Sequence, residues 1–173
     1  MIRLAGLAPV VRRDARLLIL GSFPGEASLA AGQYYAHPRN QFWPILGRLL
    51  DEPLAELGYA ARLACVRAHR IAIWDVVGYC RRSGSLDSAI RDPQANDFDA
   101  LLRRAPGLGA VAFNGATAAR FEPWFAQRGL ATYRLPSTSP AHASLDLASK
   151  LDRWRVLQRD GWIGAAALAP QPR

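Results

Sequence analysis

Four short apolar runs divide the chain: 17–20 closing on Gly21, 71–77, 110–113 closing on Asn114, and 131–135 closing on Pro136. Runs of this length, bounded by turn-forming residues, have the pattern of buried strands. The segments between them carry apolar residues at helical spacing. Phe42, Leu46, Leu49 and Leu50 share one face, and Ala60, Leu63 and Ala64 do so more loosely. Phe98, Leu101 and Leu102 follow Asn96, a residue suited to cap a helix. Two further helices are expected over 116–125 and 145–157. Strands alternating with helices predict an α/β fold, a three-layer α/β/α sandwich with a central four-stranded parallel sheet. Residues 1–163 then form one domain, and the Ala/Pro-rich stretch 164–173 reads as a flexible C-terminal tail.

A chain of 173 residues suits one self-sufficient core. The charge balance adds a partner class: 22 Lys+Arg against 14 Asp+Glu give a formal net charge of +8, which favours polyanions bound in a salt-sensitive way. The same surplus also fits an Arg- and Ala-rich genome composition, since Lys150 is the single lysine. Cys65 and Cys80 stand alone without a CxxC pair, so neither a four-cysteine cluster nor any other metal or cofactor is called for, and a reduced compartment fits. No run reaches the length of a membrane span. The apolar stretch 4–11 is broken by Pro9 and followed by Arg12, Arg13 and Asp14, unlike a secretory signal. A cytoplasmic monomer without membrane contact is expected.

In parallel α/β folds the functional loops gather beyond the carboxyl ends of the strands. Here those ends carry Gly21-Ser22-Phe23-Pro24-Gly25, Trp74-Asp75, Asn114-Gly115 and Ser137-Thr138-Ser139-Pro140. The first of these, followed by Tyr35-Ala36-His37-Pro38-Arg39-Asn40-Gln41-Phe42-Trp43, resembles the first motif of the mismatch-specific uracil-DNA glycosylases and their relatives. Leu135-Pro136-Ser137-Thr138-Ser139-Pro140-Ala141-His142 is similar to the second motif of that superfamily, the loop that approaches DNA. Segments 22–43, 74–77 and 137–143 most resemble the hypoxanthine-DNA glycosylase branch, and the resemblance spans 16–160. It implies a uracil-DNA glycosylase-like domain that excises a deaminated base in base excision repair. Hypoxanthine from deoxyinosine is the first expectation, and uracil in the manner of the mismatch-specific enzymes is the alternative. One position departs from the pattern. Mismatch-specific enzymes carry a catalytic Asn, and classical uracil enzymes an Asp, where this chain has Phe23 preceded by Ser22. The hypoxanthine branch assigns catalysis to the Asn of the Pro-Arg-Asn-Gln-Phe-Trp segment, which is Asn40 here.

Glycosidic cleavage inside a duplex requires the nucleotide to be flipped into a pocket. Such a pocket needs a stacking face, a reader of the base edge, help for the departing base and a positioned water. Tyr35 occupies the place of the stacking aromatic, a contact worth ~1–3 kcal/mol, although a tyrosine that only packs its loop has the same signature. Asn40 fits either of two roles, holding the water through its carbonyl or capping the helix that starts at Gln41 with Pro44 in its first turn. The turn 22–25, with Ser22, Phe23 and Gly25, offers backbone N–H groups to the negative charge on the leaving base. Asn114 presents donor and acceptor side by side, as a base reader or as a strand-end turn residue. Trp74 stands where relatives contact the base, and equally where a core tryptophan would stand. Ser137 and Ser139 suit phosphate contacts. Ala141-His142-Ala143 lacks a bulky apolar wedge, which leaves His142 to fill the gap or touch the base. His37 reads as a hydrogen-bonding organiser, and Arg39 and Arg134 as phosphate contacts.

Strand cleavage by a glycosylase needs an amine at the sugar. Lys150 lies in the last expected helix, outside both motifs, so the enzyme is expected to be monofunctional and to leave an abasic site for a separate endonuclease. Three rival readings remain open. Ser22, Asp75 and His142 have an acceptable order for a hydrolase triad, but Gly-Ser-Phe-Pro-Gly is not a G-x-S-x-G elbow. A catalytically inactive lesion-binding module would explain Phe23. A nucleotide-binding domain lacks its glycine fingerprint.

Overall fold

The computed structural model describes residues 2–164. In chain order it contains β1 (Arg3–Ala5), β2 (Leu17–Gly21), α1 (Glu26–Ala31), α2 (Phe42–Leu50), α3 (Tyr59–Ala68), β3 (Ile71–Asp75), β4 (Val77–Arg81) and β5 (Arg91–Ala95). There follow α4 (Phe98–Arg104), β6 (Ala110–Asn114), α5 (Ala116–Ala119), α6 (Glu122–Ala126), β7 (Ala131–Leu135), α7 (Leu147–Trp154) and α8 (Val156–Arg159). Four strands form one parallel sheet in the order β3-β2-β6-β7. Every residue of β2, β3 and β6 is buried. Successive side chains of a strand point to opposite faces, so both faces of the sheet are covered and the expected α/β/α sandwich forms. Among the described residues no helix is long and apolar enough to cross a membrane.

The strand order places the site. From β2 the chain moves outward to β3, then returns to β6 on the opposite flank of β2. A crevice opens where connections leave in opposite directions, outside the carboxyl ends of β2 and β6. Register aligns Gly21 with Asp75, and Leu20 with both Trp74 and Phe113, so Gly21, Asp75 and Asn114 end on one rim.

A second, antiparallel sheet of order β1-β4-β5 was not expected from the pattern. The run 71–77, read as one strand, is divided at Val76. The Val76 N–H donates to the Gly21 carbonyl at 2.9 Å and the Val77 N–H to that of Ser22 at 3.0 Å, after which the chain enters the second sheet. Three helix expectations also change. The segment 116–125 splits into α5 and α6 because Pro123, which has no N–H, can enter only in the first turn of a new helix. Asp97, not Asn96, caps α4 by accepting the Ala100 N–H at 2.9 Å, while Asn96 donates its amide to the Asp75 carbonyl at 2.7 Å. The last long helix starts later, at Leu147, where Asp146 caps it through the Ser149 N–H, and gives way to α8 after Trp154. Of the expected tail over 164–173, residues 165–173 lie outside the described residues.

Candidate active site

A cavity of about 330 Å³ opens at the rim of the sheet, where Gly21, Asp75 and Asn114 line it. The turn 21–25, the loop carrying Tyr34, Tyr35, His37 and Asn40, and the loop 137–142 complete its walls. The volume is of the size that admits a small organic ring, ~300–1,000 Å³. Both sequence motifs therefore meet at one concave site.

Tyr35 is held in the left-handed region, with φ of 54°, by the packing around it. Its ring stacks on Phe42 with centroids 3.8 Å apart, so one face is already covered. A base stacked on Tyr35 must use the other face. Asn40 is not the N-cap of α2: the helix opens at Phe42, one residue later than expected, with Gln41 at the N-cap position. Asn40 Oδ1 accepts the Phe42 N–H at 2.9 Å, which fixes the entry into α2, and the residue also lines the cavity. A carbonyl oxygen has two lone pairs, so one remains for a water. His37 organises this loop, taking the Arg39 N–H on Nδ1 at 3.1 Å and the Asn40 N–H on its carbonyl at 2.9 Å. The Arg39 side chain is exposed and outside the cavity wall.

The turn 22–25 is braced from below. Phe23 is buried under the Arg82 guanidinium, 5.1 Å from its ring, and Arg82 donates to the Pro24 carbonyl at 2.5 Å. Ser22 donates its hydroxyl to Asp87 at 2.6 Å, and Ser85 accepts the Glu26 N–H at 2.9 Å. Among the described residues no protein acceptor takes the N–H of Ser22, Phe23 or Gly25. This leaves them able to meet a developing anion.

Asn114 is placed on the rim but is already engaged. Its Oδ1 accepts the Thr138 N–H at 2.9 Å, and its Nδ2 donates to Thr138 Oγ1 at 3.0 Å and to the Tyr35 hydroxyl at 3.3 Å. Thr138 is 1 % exposed, and its carbonyl accepts the Gln41 N–H at 3.0 Å. It thus clasps the second motif to the first, a role invisible in a linear reading because its partners lie 24 and 97 positions away. In the same loop Ser137 accepts the Ser139 N–H, Ser139 accepts the Ala141 N–H, and His142 faces Ser144 at 3.4 Å. Because Ser22 is bonded to Asp87 and His142 to Ser144, the triad reading of Ser22, Asp75 and His142 has no hydrogen-bonded relay.

Of the two readings of Trp74, the core one holds, and its neighbour Asp75 faces the cavity instead. The Trp74 ring meets Phe98 edge-on at 6.1 Å and donates to the Leu7 carbonyl at 3.2 Å, away from the cavity wall. Asp75, the next residue along the strand, points the other way and lines the cavity. It is 5 % exposed and its Oδ2 is buried without a hydrogen-bond partner. Burial, reinforced by the Asp87 charge and opposed by Arg82, pushes the Asp75 carboxyl up to about 7. Gly21 makes room for it: a Cβ there would stand 2.5 Å from Asp75 Oδ1. Burial also pushes the Tyr34 and Tyr35 phenols up, so both stay neutral donors. Outside the cavity, Glu52, Cys65 and His69 bring one ligand atom each within 4.8 Å of one another; Cys65 on α3 and His69 at its C-terminal cap stand one helical turn apart, and Glu52 joins them from the segment before the helix.

A parallel α/β domain whose two motif loops close a ring-sized cavity at the topological switch point defines a base-pocket enzyme rather than a groove-binding module. The uracil DNA glycosylase superfamily model matches residues 8–158. Two proteins named hypoxanthine DNA glycosylase are similar to this chain. The one from Methanosarcina barkeri is 38% identical over 149 residues, covering 86% of this chain and 94% of the relative. The one from Methanosarcina acetivorans is 38% identical over 137 residues, covering 79% and 87%. A solution NMR structure of a Methanosarcina acetivorans protein, provisionally named a uracil DNA glycosylase, superposes with a TM-score of 0.79 at 34% identity, covering 91% of this chain and 99% of that one. The chain belongs to the uracil DNA glycosylase superfamily, as its two motifs implied.

Proposed function

We propose that this protein is a monofunctional DNA glycosylase that releases hypoxanthine from deoxyinosine, with residues 1–163 as its functional unit. The observation that carries this reading is the convergence of Tyr35, Asn40 and the turn 22–25 on one cavity. The two similar proteins named hypoxanthine DNA glycosylase support the choice of base. The flipped nucleotide slides between the free face of Tyr35 and the turn 22–25. Asn40 presents a water to C1′ by positioning, not by taking a proton. The unengaged N–H groups of Ser22, Phe23 and Gly25 receive the charge of the leaving base. Ser137, Ser139, His142 and Arg39 line the path of the DNA backbone, and the protein acts as a cytoplasmic monomer without a cofactor. Deoxyinosine-containing oligonucleotides should yield free hypoxanthine, with uracil release from deoxyuridine weaker or absent. Chromatography of released bases checks this; exclusive uracil release moves the protein to another branch, and binding without release leaves only the lesion-binding module.

The product follows from the placement of the single lysine. Lys150 is buried on α7, and its burial pulls its ammonium down, but it lies outside the cavity wall. An intact strand bearing an abasic site is expected, to be processed by a separate endonuclease. Borohydride should trap no covalent enzyme–DNA adduct; an adduct lost in Lys150→Ala would show that an amine reaches the sugar.

A further inference from the structure

We propose that Asp75 is the catalytic acid of this site, giving its carboxyl proton to ring nitrogen N7 of the extruded purine as the C1′–N9 bond breaks. This rests on the glycosylase reading above and extends it to the leaving group, for which that reading supplies only backbone N–H groups. The argument begins with hydrogen-bond accounting. Asn114, whose side-by-side donor and acceptor made it a candidate base reader, spends both on Thr138 and Tyr35. Asp75 shares the same rim, lines the cavity, is 5 % exposed and keeps Oδ2 without a partner. A buried carboxyl left unsatisfied costs stability, so its partner is to be sought in what enters the cavity.

The surroundings favour the protonated form. The charged groups that act on the carboxyl are Asp87, from the turn before β5, and Arg82, just beyond β4; the phenols of Tyr34 and Tyr35 face it from the loop before α2. Gly21, from β2, contributes no side chain, and Asn96 binds only the Asp75 backbone carbonyl. Burial and Asp87 outweigh Arg82, so the carboxyl titrates near neutrality. A general acid works best when it titrates near the operating pH. Arriving DNA adds phosphate charge and removes water, and both favour the neutral acid further.

The step balances as follows. The C1′–N9 bond breaks, its electron pair moves into the purine, and the Asp75 proton ends on N7, so hypoxanthine leaves uncharged. The water beside Asn40 adds to C1′, and its surplus proton returns through solvent to the Asp75 carboxylate. A pyrimidine has no nitrogen at this place, so the same acid biases the cavity toward purines.

Single-turnover excision from a deoxyinosine oligonucleotide, followed between about pH 5 and 9, tests the proposal on wild type and Asp75→Asn. Asparagine keeps the shape and a hydrogen-bond donor but has no proton to give. The wild-type rate is expected to be level at acid pH and to fall as pH rises through about 7. Asp75→Asn is expected to be at least ~100-fold slower at pH 6 and insensitive to pH, with lesion binding changed only a few-fold. A second substrate, 7-deazadeoxyinosine, removes the proton acceptor without altering the protein, so the test stands even if the variant misfolds. Wild type is expected to process it slowly with a flat pH profile. A variant within about threefold of wild type, or a 7-deaza substrate cut as fast as deoxyinosine, overturns the proposal. Absence of hypoxanthine release by wild type at every pH overturns the glycosylase reading instead, and the two failures are told apart by that control.

Discussion

Asn40→Ala is expected to lower single-turnover base release by at least ~100-fold while leaving lesion affinity nearly unchanged, because a positioned water contributes to the barrier and not to ground-state binding. The structure makes this a sharp test, since Asn40 also accepts the Phe42 N–H at 2.9 Å at the entry to α2. Losing that bond costs roughly 0.5–1.5 kcal/mol of stability, the usual net effect of one lost hydrogen bond. A stability loss of this size leaves a well-folded enzyme saturated in a single-turnover experiment, so it cannot by itself produce the rate loss. Asn40→Asp separates the roles further. The carboxylate keeps an oxygen for the Phe42 N–H and for the water, so it should recover much of the rate that alanine loses. Melting temperature, lesion affinity and rate measured together decide. A normal rate with a lowered melting point would leave Asn40 only its structural bond at the entry to α2.

The parallel sheet was legible because 17–20, 71–77, 110–113 and 131–135 are short apolar runs bounded by turn-forming residues. The second sheet was not. All five residues of β5 are exposed, and they include Arg91, Asp92 and Pro93, so no apolar alternation marks the strand. The β3/β4 boundary was hidden for a related reason: apolar character continues through Val76 and Val77, and only the hydrogen bonds to Gly21 and Ser22 show that the chain has changed sheets. The site divides in the same way. Motif spacing drew attention to Tyr35, Asn40 and the turn 22–25, all of which line the cavity. Trp74 drew attention as the strand-end residue where relatives contact the base, but along a strand the next side chain faces the opposite way, and it is Asp75 that reaches the site. Thr138 and Arg82 escaped notice because their roles depend on partners brought together only by folding.

Asp75→Asn should make the protein more stable at pH 8 and leave its stability at pH 4 nearly unchanged. In the folded chain the Asp75 carboxyl is raised from 3.8 to about 7, first by burial and then by Asp87. The folded state therefore keeps a proton that the unfolded chain releases between these limits. Its contribution is fully present below the lower value and is lost as pH rises through the upper one. Above about pH 7 both states are ionised and the cost of the buried charge is complete. Moving a carboxyl over that interval corresponds to about 4 kcal/mol, an upper bound because water reaching the open cavity relieves part of it. Asparagine carries no charge, so it removes the whole pH-dependent cost while keeping the side chain's volume. Urea midpoints for wild type and variant, taken at intervals from pH 4 to 8, should diverge with rising pH and then run parallel above about pH 7. Trends due to other carboxylates appear in both proteins and cancel in the difference. Two curves parallel over the whole range would mean that Asp75 titrates like an ordinary aspartate, and its role as an acid near neutrality would fall as well. A variant that is both more stable and slower is the outcome expected where a buried ionisable group serves the chemistry at the expense of the fold.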